Sequence, residues 1–298
     1  MENVEHDLYA GLSGLKLGDA VIELGHGVTL RGTYAHVFST DILAFERPAT
    51  PHSYHPGPWQ AGSRRPGIDI ETELYLPSTF RHKKVDGKRV VNTIVTLLRL
   101  WSDPQIVLQL LTDCPIQQLK EKPYSDARHN EHVAVLFGSR PRHFEMAAID
   151  REPAKLIENM GWVIANWQAA LDLCESPEFC FALETFDNAQ FIPNHAMMMV
   201  SLWGALEAIF ARAKAELRYS VSSNIATFLT PRGPERLQKQ KEVQRLYDGR
   251  SAAAHGPAKQ SPDDLLQTFQ LLRAAIVRMI EDKAVPTKND LEEMLFVK

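Results

Sequence analysis

Residues 194–217 read NHAMMMVSLWGALEAIFARAKAEL, and apolar side chains cover most of the circumference of the helix that this stretch predicts. These side chains are Met197, Met198, Met199, Val200, Leu202, Trp203, Leu206, Ile209 and Phe210. A helix that is apolar on most sides must be surrounded by other elements, so it belongs in the middle of a helical bundle. The apolar run contains Ser201, Gly204 and Glu207 and falls short of the roughly 20 residues that cross a bilayer, so we expect no membrane span.

Other helical patterns surround this central stretch. From Pro153 onward, apolar residues recur about every 3.6 positions, which predicts a helix near 153–175. Further helices are predicted over residues 220–229, over residues 235–247 and from Ser261 to before Pro286. The C-terminal half of the chain is therefore predicted to be an all-α bundle.

The N-terminal half has a different pattern, in which apolar and polar residues alternate in short runs between Gly, Pro and Asn. Strands are predicted at 21–24, 28–30, 33–38, 68–76 and 133–137, and at 90–97 after an Asp86-Gly87 turn. Residues 105–111 fit a strand or a helical turn equally well, and residues 47–67, with five prolines, predict an irregular loop.

The fold class predicted from these patterns is α+β. We expect a β-rich N-terminal domain over residues 1–150, a connecting helix over 151–178 and a helical domain over 179–298. A length of 298 residues suits about two domains.

The amino-acid composition limits the classes of protein to which the chain can belong. Hydrophobic residues make up 44 % and charged residues 23 %, as in an ordinary globular chain. The acidic N-terminus leads into no signal sequence, and the three cysteines fit reduced thiols better than disulfides, so we expect a cytoplasmic protein.

Charge is unevenly distributed along the chain. The net charge is −4, yet residues 212–250 contain nine Lys or Arg against four Asp or Glu, a local balance of +5. A basic segment of this kind is compatible with RNA binding, and it is also typical of a solvated helix face.

The stretch Tyr247-Asp-Gly-Arg250-Ser-Ala-Ala-Ala-His255-Gly-Pro257 carries the chemistry of interest. An imidazole moves protons near neutral pH, and a guanidinium binds phosphate oxygens and offsets charge in the transition state. Together with the 2′-hydroxyl of the substrate, Arg250 and His255 would be sufficient to cleave an RNA phosphodiester. Alternatively, Arg250 pairs with a carboxylate of a preceding helix and His255 caps the helix end.

Three segments together resemble an Apea-like HEPN domain of the higher eukaryotes and prokaryotes nucleotide-binding superfamily. They are residues 202–210 (LWGALEAIF), 223–229 (SNIATFL) and 246–256 (LYDGRSAAAHG). The resemblance covers about residues 179–280 and implies a helical bundle that forms a homodimer. Many members that resemble this chain are metal-independent endoribonucleases of toxin–antitoxin or antiphage-defence systems.

The resemblance implies roles for individual residues. Arg250 would bind the phosphate, and His255 would act as acid and base. Ser251 and Glu207 would be auxiliary, with Glu207 orienting Arg250 or His255 or forming a structural salt bridge, and Tyr247 would stack on a base or fill the core. The implied products carry 2′,3′-cyclic phosphate ends, and the implied partners are RNA and an antitoxin or sensor.

Two other functions stay open. Many domains of the HEPN type dimerise or bind nucleotides or RNA without cleavage, which makes a non-catalytic module the alternative. Paired histidines at His52/His55 and His129/His132 lack the spacing of a helical zinc motif, so a metal-dependent hydrolase in the N-terminal domain is a distant third. No nucleotide-binding glycine motif is present, and we expect neither metal nor cofactor. The role of residues 1–150 is open, with a sensor as one hypothesis.

Overall fold

The computed structural model describes residues 6–38, 41–50, 53, 55–62, 67–83, 85–121, 135–136, 153–211, 217–255 and 261–297. The chain divides into two compact units, Met1–Gly87 with Gln105–Gly138 and Lys88–Pro104 with Ser139–Lys298. The first contains the described strands, and the second contains nearly all of the described α-helical residues. The α+β class is thus confirmed, while the boundaries expected near 150 and 178 stay predictions.

The first unit is built on a six-stranded antiparallel sheet with the order β2-β3-β6-β1-β7-β8, and β4 and β5 form a separate two-stranded ribbon. The strands are β1 (Leu8–Ser13), β2 (Val21–Gly25), β3 (Val28–Val37), β4 (Asp41–Ala44), β5 (Trp59–Gly62), β6 (Ile68–Leu76), β7 (Val107–Thr112) and β8 (Val135–Leu136).

Most of the predicted strands are confirmed. The runs at 21–24 and 68–76 are β2 and β6, the runs at 28–30 and 33–38 join into β3, and the ambiguous run at 105–111 is β7. Of 133–137, the described pair 135–136 is β8, and the remainder lies outside the described residues. The proline-rich segment 47–67 includes β5 as well as irregular chain.

One central strand, β1, is not predicted by alternation. It pairs with β6 on one side and β7 on the other, and its residues from Ala10 to Ser13 are all buried. A strand covered on both faces loses the alternation of apolar and polar residues that marks a half-exposed strand. Its signal is therefore only a short run, LYAGLS.

The strand predicted at 90–97 is wrong, because these residues belong to helix α1 (Gly87–Trp101). The β-branched residues Val90, Val91, Ile94 and Val95 are all buried, at spacings that also fit one face of a helix. Burial of this apolar face outweighs the preference of β-branched residues for strands.

The second unit contains α1 and seven further helices among its described residues. These are α2 (Pro153–Leu173), α3 (Pro177–Ala189), α4 (His195–Phe210), α5 (Leu217–Leu229), α6 (Pro234–His255), α7 (Pro262–Asp282) and α8 (Lys288–Phe296). The helices predicted near 153–175, 220–229 and 261–285 are confirmed as α2, α5 and α7. Helices α3 and α8 are additional, and each begins at a hydroxyl cap, Ser176 or Thr287.

Helix α4 ends earlier than the sequence pattern predicts. The Asn194 side chain caps its start by accepting from the amides of Ala196 and Met197, as expected of an Asn at this position. At the other end, Ala211 adopts an extended conformation, and the side-chain amide of Asn224 in α5 donates to the carbonyl oxygen of Phe210 at 2.9 Å. This tertiary contact satisfies one of the carbonyls that lack a partner at the end of a helix. Helix α4 therefore ends at Phe210, and the single helix predicted over 194–217 is wrong.

Helix α6 is longer than predicted. It continues through Asp248-Gly249 and ends at His255, so Arg250 lies within the helix. Gly249 is in the helix interior, where a methyl group at its Cβ position would meet no atom within 4 Å. No helix among the described residues is long and apolar enough to cross a membrane.

A continuous α6 predicts the effect of Gly249→Ala. Alanine loses less backbone entropy than glycine in a helix interior, so we expect the variant to raise the free energy of unfolding by about 0.5–1 kcal/mol. Urea denaturation measures this, with Gly57→Ala in an exposed loop as a control. A destabilised Gly249→Ala variant would mean that α6 is broken at this position.

Candidate functional site

Helices α4 and α6 pack against each other and bring together four side chains that are distant in sequence. Trp203 and Glu207 lie one turn apart on α4, and Tyr247 and Arg250 lie about one turn apart on α6. We call these four residues the Glu207 cluster. Three of them, Glu207, Tyr247 and Arg250, are among the site residues predicted from the sequence.

The Glu207 carboxylate connects the two helices. Its Oε1 accepts a hydrogen bond of 2.8 Å from the Tyr247 hydroxyl, and its Oε2 accepts one of 3.3 Å from Nη2 of Arg250. The Arg250 guanidinium carbon also lies 5.7 Å from the centre of the Tyr247 ring, within cation–π range. A single carboxylate thus fixes both the phenol and the guanidinium.

Burial differs across the cluster. Trp203 is fully buried and Tyr247 is 5 % exposed, and their rings meet edge to face at 4.9 Å. The side chains of Glu207 and Arg250 are 19 % and 29 % exposed. The ion pair therefore lies at the surface end of a buried aromatic anchor, which places Tyr247 in the core of the bundle.

The pKa of Tyr247 is raised to about 12, first by burial and then by its hydrogen bond to Glu207. The phenol stays neutral and donates to Glu207 throughout the neutral range. Because its ionisation is suppressed, Tyr247 contributes to the site by orienting the carboxylate.

The sequence did not point to Trp203 as part of this cluster. Its indole supports the Tyr247 ring, and no described residue accepts a hydrogen bond from its buried Nε1 or from the buried Nε of Arg250. The available signal was the spacing of Trp203 and Glu207, four positions apart on one helix face.

The structure places Ser251 and His255 on the last turns of α6, and their side chains lie outside the described part of the molecule. Five positions on helical backbone correspond to about 140° around the axis. Arg250 and His255 therefore occupy diverging positions around the axis of α6 within one chain.

Four of the seven described cations in the basic segment 212–250 pair with carboxylates, namely Arg218, Lys239, Arg245 and Arg250. Arg218 in α5 donates to both carboxylate oxygens of Asp248, each at 2.7 Å. This contact lowers the pKa of Asp248 and raises that of Arg218, chiefly through the side-chain hydrogen bonds. Arg245 pairs with Asp264 and Lys239 with Glu242, which favours a structural over a phosphate-binding role for these cations.

Arg236, another member of this segment, donates to the carbonyl oxygens of Thr230 and Met294 and so connects α6 with α8. Arg212 and Lys214 lie outside the described residues.

The paired histidines of the N-terminal domain gain no support as a metal site. Nδ1 of His55 lies 2.7 Å from the carbonyl oxygen of Glu46, while His52, His129 and His132 lie outside the described residues. Within the part of the chain that the structure describes, no group of three His, Cys, Asp or Glu side chains is placed to hold an ion.

Comparison with known proteins adds no assignment, since no family model, curated protein or solved structure matches the chain.

The contact between Tyr247 and Glu207 predicts thermodynamic coupling between them. Tyr247→Phe and Glu207→Ala should each destabilise the protein, and a double-mutant cycle should give a coupling energy of about 1 kcal/mol. Urea denaturation of the two single variants and the double variant measures this.

Tyr219→Phe is the matched control, because Tyr219 in α5 is 61 % exposed and its loss should leave stability within about 0.5 kcal/mol of the wild type. Additive effects of Tyr247→Phe and Glu207→Ala would show that the hydrogen bond contributes nothing specific.

Proposed function

We propose that the helical unit is a metal-independent endoribonuclease of the HEPN type. The observation that carries this proposal is the convergence of the three segments on which the resemblance rests. The described residues of these segments, 202–210, 223–229 and 246–255, lie on α4, α5 and α6, which pack against one another, and Glu207 of the first segment contacts Arg250 of the third. The contact between Glu207 and Arg250 matches one of the roles that the resemblance implies.

Arg250 is the proposed phosphate-binding residue. Glu207 accepts from Nη2, and no described residue accepts from Nη1. The side chain is 29 % exposed, so part of the guanidinium can reach a ligand without leaving the carboxylate. Because the hydrogen bond to Glu207 already restricts the side-chain rotamers of Arg250, less conformational entropy is lost when a phosphate binds.

His255 is the proposed acid and base. The imidazole removes the proton from the ribose 2′-hydroxyl, and the resulting oxygen attacks the adjacent phosphorus. The bond to the 5′-oxygen of the next nucleotide breaks, and this oxygen takes up a proton. The products are a 2′,3′-cyclic phosphate and a 5′-hydroxyl, and Arg250 offsets the charge that develops on the phosphate oxygens.

A homodimer is part of this proposal, because the divergence of Arg250 and His255 on α6 leaves a role for groups from a second copy. The outer face of α4 is suited to such a contact. Met197 and Val200 are 62 % and 38 % exposed, and Gly204 and Ala208 continue the same face with small residues next to Glu207. Close packing of two copies along this face would bring two Glu207 clusters together.

We further propose that the protein acts as a toxin or antiphage-defence effector, with an antitoxin or sensor as its partner. This part of the proposal rests on the resemblance to Apea-like HEPN domains. The β-rich unit is the candidate sensor, and variants of that unit that leave α1 intact should then alter the activity or its trigger, because α1 belongs to the helical unit.

A non-catalytic dimerisation or RNA-binding module is the second candidate. It is favoured by the neutralisation of Arg250 by Glu207 and by the pairing of most described cations in α5 and α6. In this case the ion pair stabilises the bundle, and the protein forms dimers or binds RNA without cleaving it.

Cleavage of total tRNA and mRNA in excess chelator tests the proposal. We expect wild type to produce fragments with 2′,3′-cyclic phosphate and 5′-hydroxyl ends. His255→Ala and Arg250→Ala should each lose about 100-fold or more of the rate, since each removes a group that acts in the transition state.

Arg245→Ala is the matched control, because Arg245 lies on the same helix and pairs with Asp264 away from Glu207. Its cleavage rate should stay within about twofold of wild type. Cleavage that persists in both Arg250→Ala and His255→Ala would contradict the assignment, and binding of RNA without cleavage by any variant would favour the second candidate.

The dimer proposal predicts the effect of Val200→Glu. A charge on the outer face of α4 should weaken dimerisation at least about tenfold and reduce cleavage in parallel. Sedimentation and the cleavage assay measure the two effects. Leu237→Glu is the control, since Leu237 is 57 % exposed on α6 near its start. Val200→Glu that stays dimeric would place the interface elsewhere.

A further inference from the structure

Two of the three cysteines meet at one arginine in the helical unit. Cys174 directly follows α2, and Cys180 is the fourth residue of α3. Arg89 is the third residue of α1. Five residues separate the cysteines, and they include the Ser176 cap and Pro177 that begin α3. The fold therefore brings two thiols together across a helix-to-helix turn.

The contacts around these thiols are specific. Nη2 of Arg89 donates to Sγ of Cys180, and Cys174 lies close enough to both side chains for each to act against the rise in the pKa of its thiol. The Cys180 thiol donates to Oε1 of Glu184, one turn further along α3, at 3.2 Å. The cluster thus combines two thiols with a carboxylate that can take a proton and a cation that stabilises a thiolate.

We propose that Cys174 and Cys180 are an oxidation site, at which hydrogen peroxide or an organic hydroperoxide converts the two thiols into an intramolecular disulfide. This inference is independent of the ribonuclease proposal. Both side chains are only partly buried, so a small oxidant can reach them.

The chemistry assigns a role to each member of the cluster. A solvent base removes the proton that Cys180 donates to Glu184, and the thiolate attacks one peroxide oxygen, so that the O–O bond breaks and a sulfenic acid forms with release of water or an alcohol. Cys174 then attacks the Cys180 sulfur, the S–O bond breaks, and a second water leaves. Two thiols are oxidised and one peroxide is reduced, with Arg89 stabilising the thiolate.

The protonation equilibrium sets the speed of this reaction. Burial, followed by the hydrogen bond to Glu184, raises the pKa of Cys180 to about 12, and burial also raises the pKa of Cys174. Because only the thiolate attacks, the thiolate fraction and the oxidation rate rise about tenfold per pH unit below this pKa. The site is therefore a slow one, which forms its disulfide under sustained oxidation.

The test exposes the full-length protein to hydrogen peroxide, blocks the remaining thiols after unfolding and counts them. We expect three thiols to fall to one and the intact mass to decrease by two hydrogen atoms. Cleavage of the chain after Glu175 or Glu178 should leave the two resulting fragments joined. The rate of disulfide formation should rise about tenfold per pH unit between about pH 7 and pH 9, because the thiolate fraction rises.

Three variants locate the reaction. Cys114→Ser is the matched control, because Cys114 is buried in the other unit, and it should still lose two thiols. Cys174→Ser and Cys180→Ser should form no intramolecular disulfide. Arg89→Gln should slow the reaction by roughly tenfold, since it removes the cation beside the sulfur.

Other outcomes would overturn the proposal. A sulfinic acid on Cys180 with Cys174 still reduced would show that the two thiols do not react with each other. A disulfide that includes Cys114, or retention of all three thiols at the higher pH, would also contradict it. Circular dichroism of each variant shows whether a loss of disulfide formation comes from the missing side chain or from misfolding.

Discussion

The carboxylate of Glu207 is the constraint on which the candidate site depends. It lies on α4, the central and most apolar helix, and uses its two oxygens on two residues of α6. Since a carboxylate with little exposure needs partners for its charge, the Tyr247 hydroxyl and the Arg250 guanidinium stabilise it and are fixed by it. The position of Arg250 is therefore set by the packing of the bundle.

This arrangement is compatible with both catalysis and structural stabilisation. The guanidinium is held by its Nη2, and among the described residues none accepts from Nη1, so binding a phosphate does not require the ion pair to break. Arg218, Lys239 and Arg245 are paired with acids on α6 and α7, so this surface attracts RNA less than its sequence suggests. Affinity for RNA, in the proposed function, comes from few contacts and from a second copy of the chain.

The sequence predicted the site better than it predicted the boundaries of its elements. The type and spacing of residues predict Arg250, the family resemblance implies Glu207 and Tyr247, and the structure brings the three together. The end of α4 was missed because Asn224 caps it from another helix, and α1 was mistaken for a strand because its valines and isoleucines are buried on a helix face. The spacing of Trp203 and Glu207 places both on one face of α4, but the contact of Trp203 with Tyr247, on a helix distant in sequence, leaves no local pattern.

The most direct test of the proposed mechanism uses two RNA strands that are identical except for a 2′-deoxy nucleotide at the mapped cleavage position. We expect the wild-type protein to bind both strands equally in excess chelator and the substitution to abolish cleavage at that position, because the substrate supplies the nucleophile. Cleavage of the deoxy strand at the same position would contradict this mechanism and would require a nucleophile from water or from the protein.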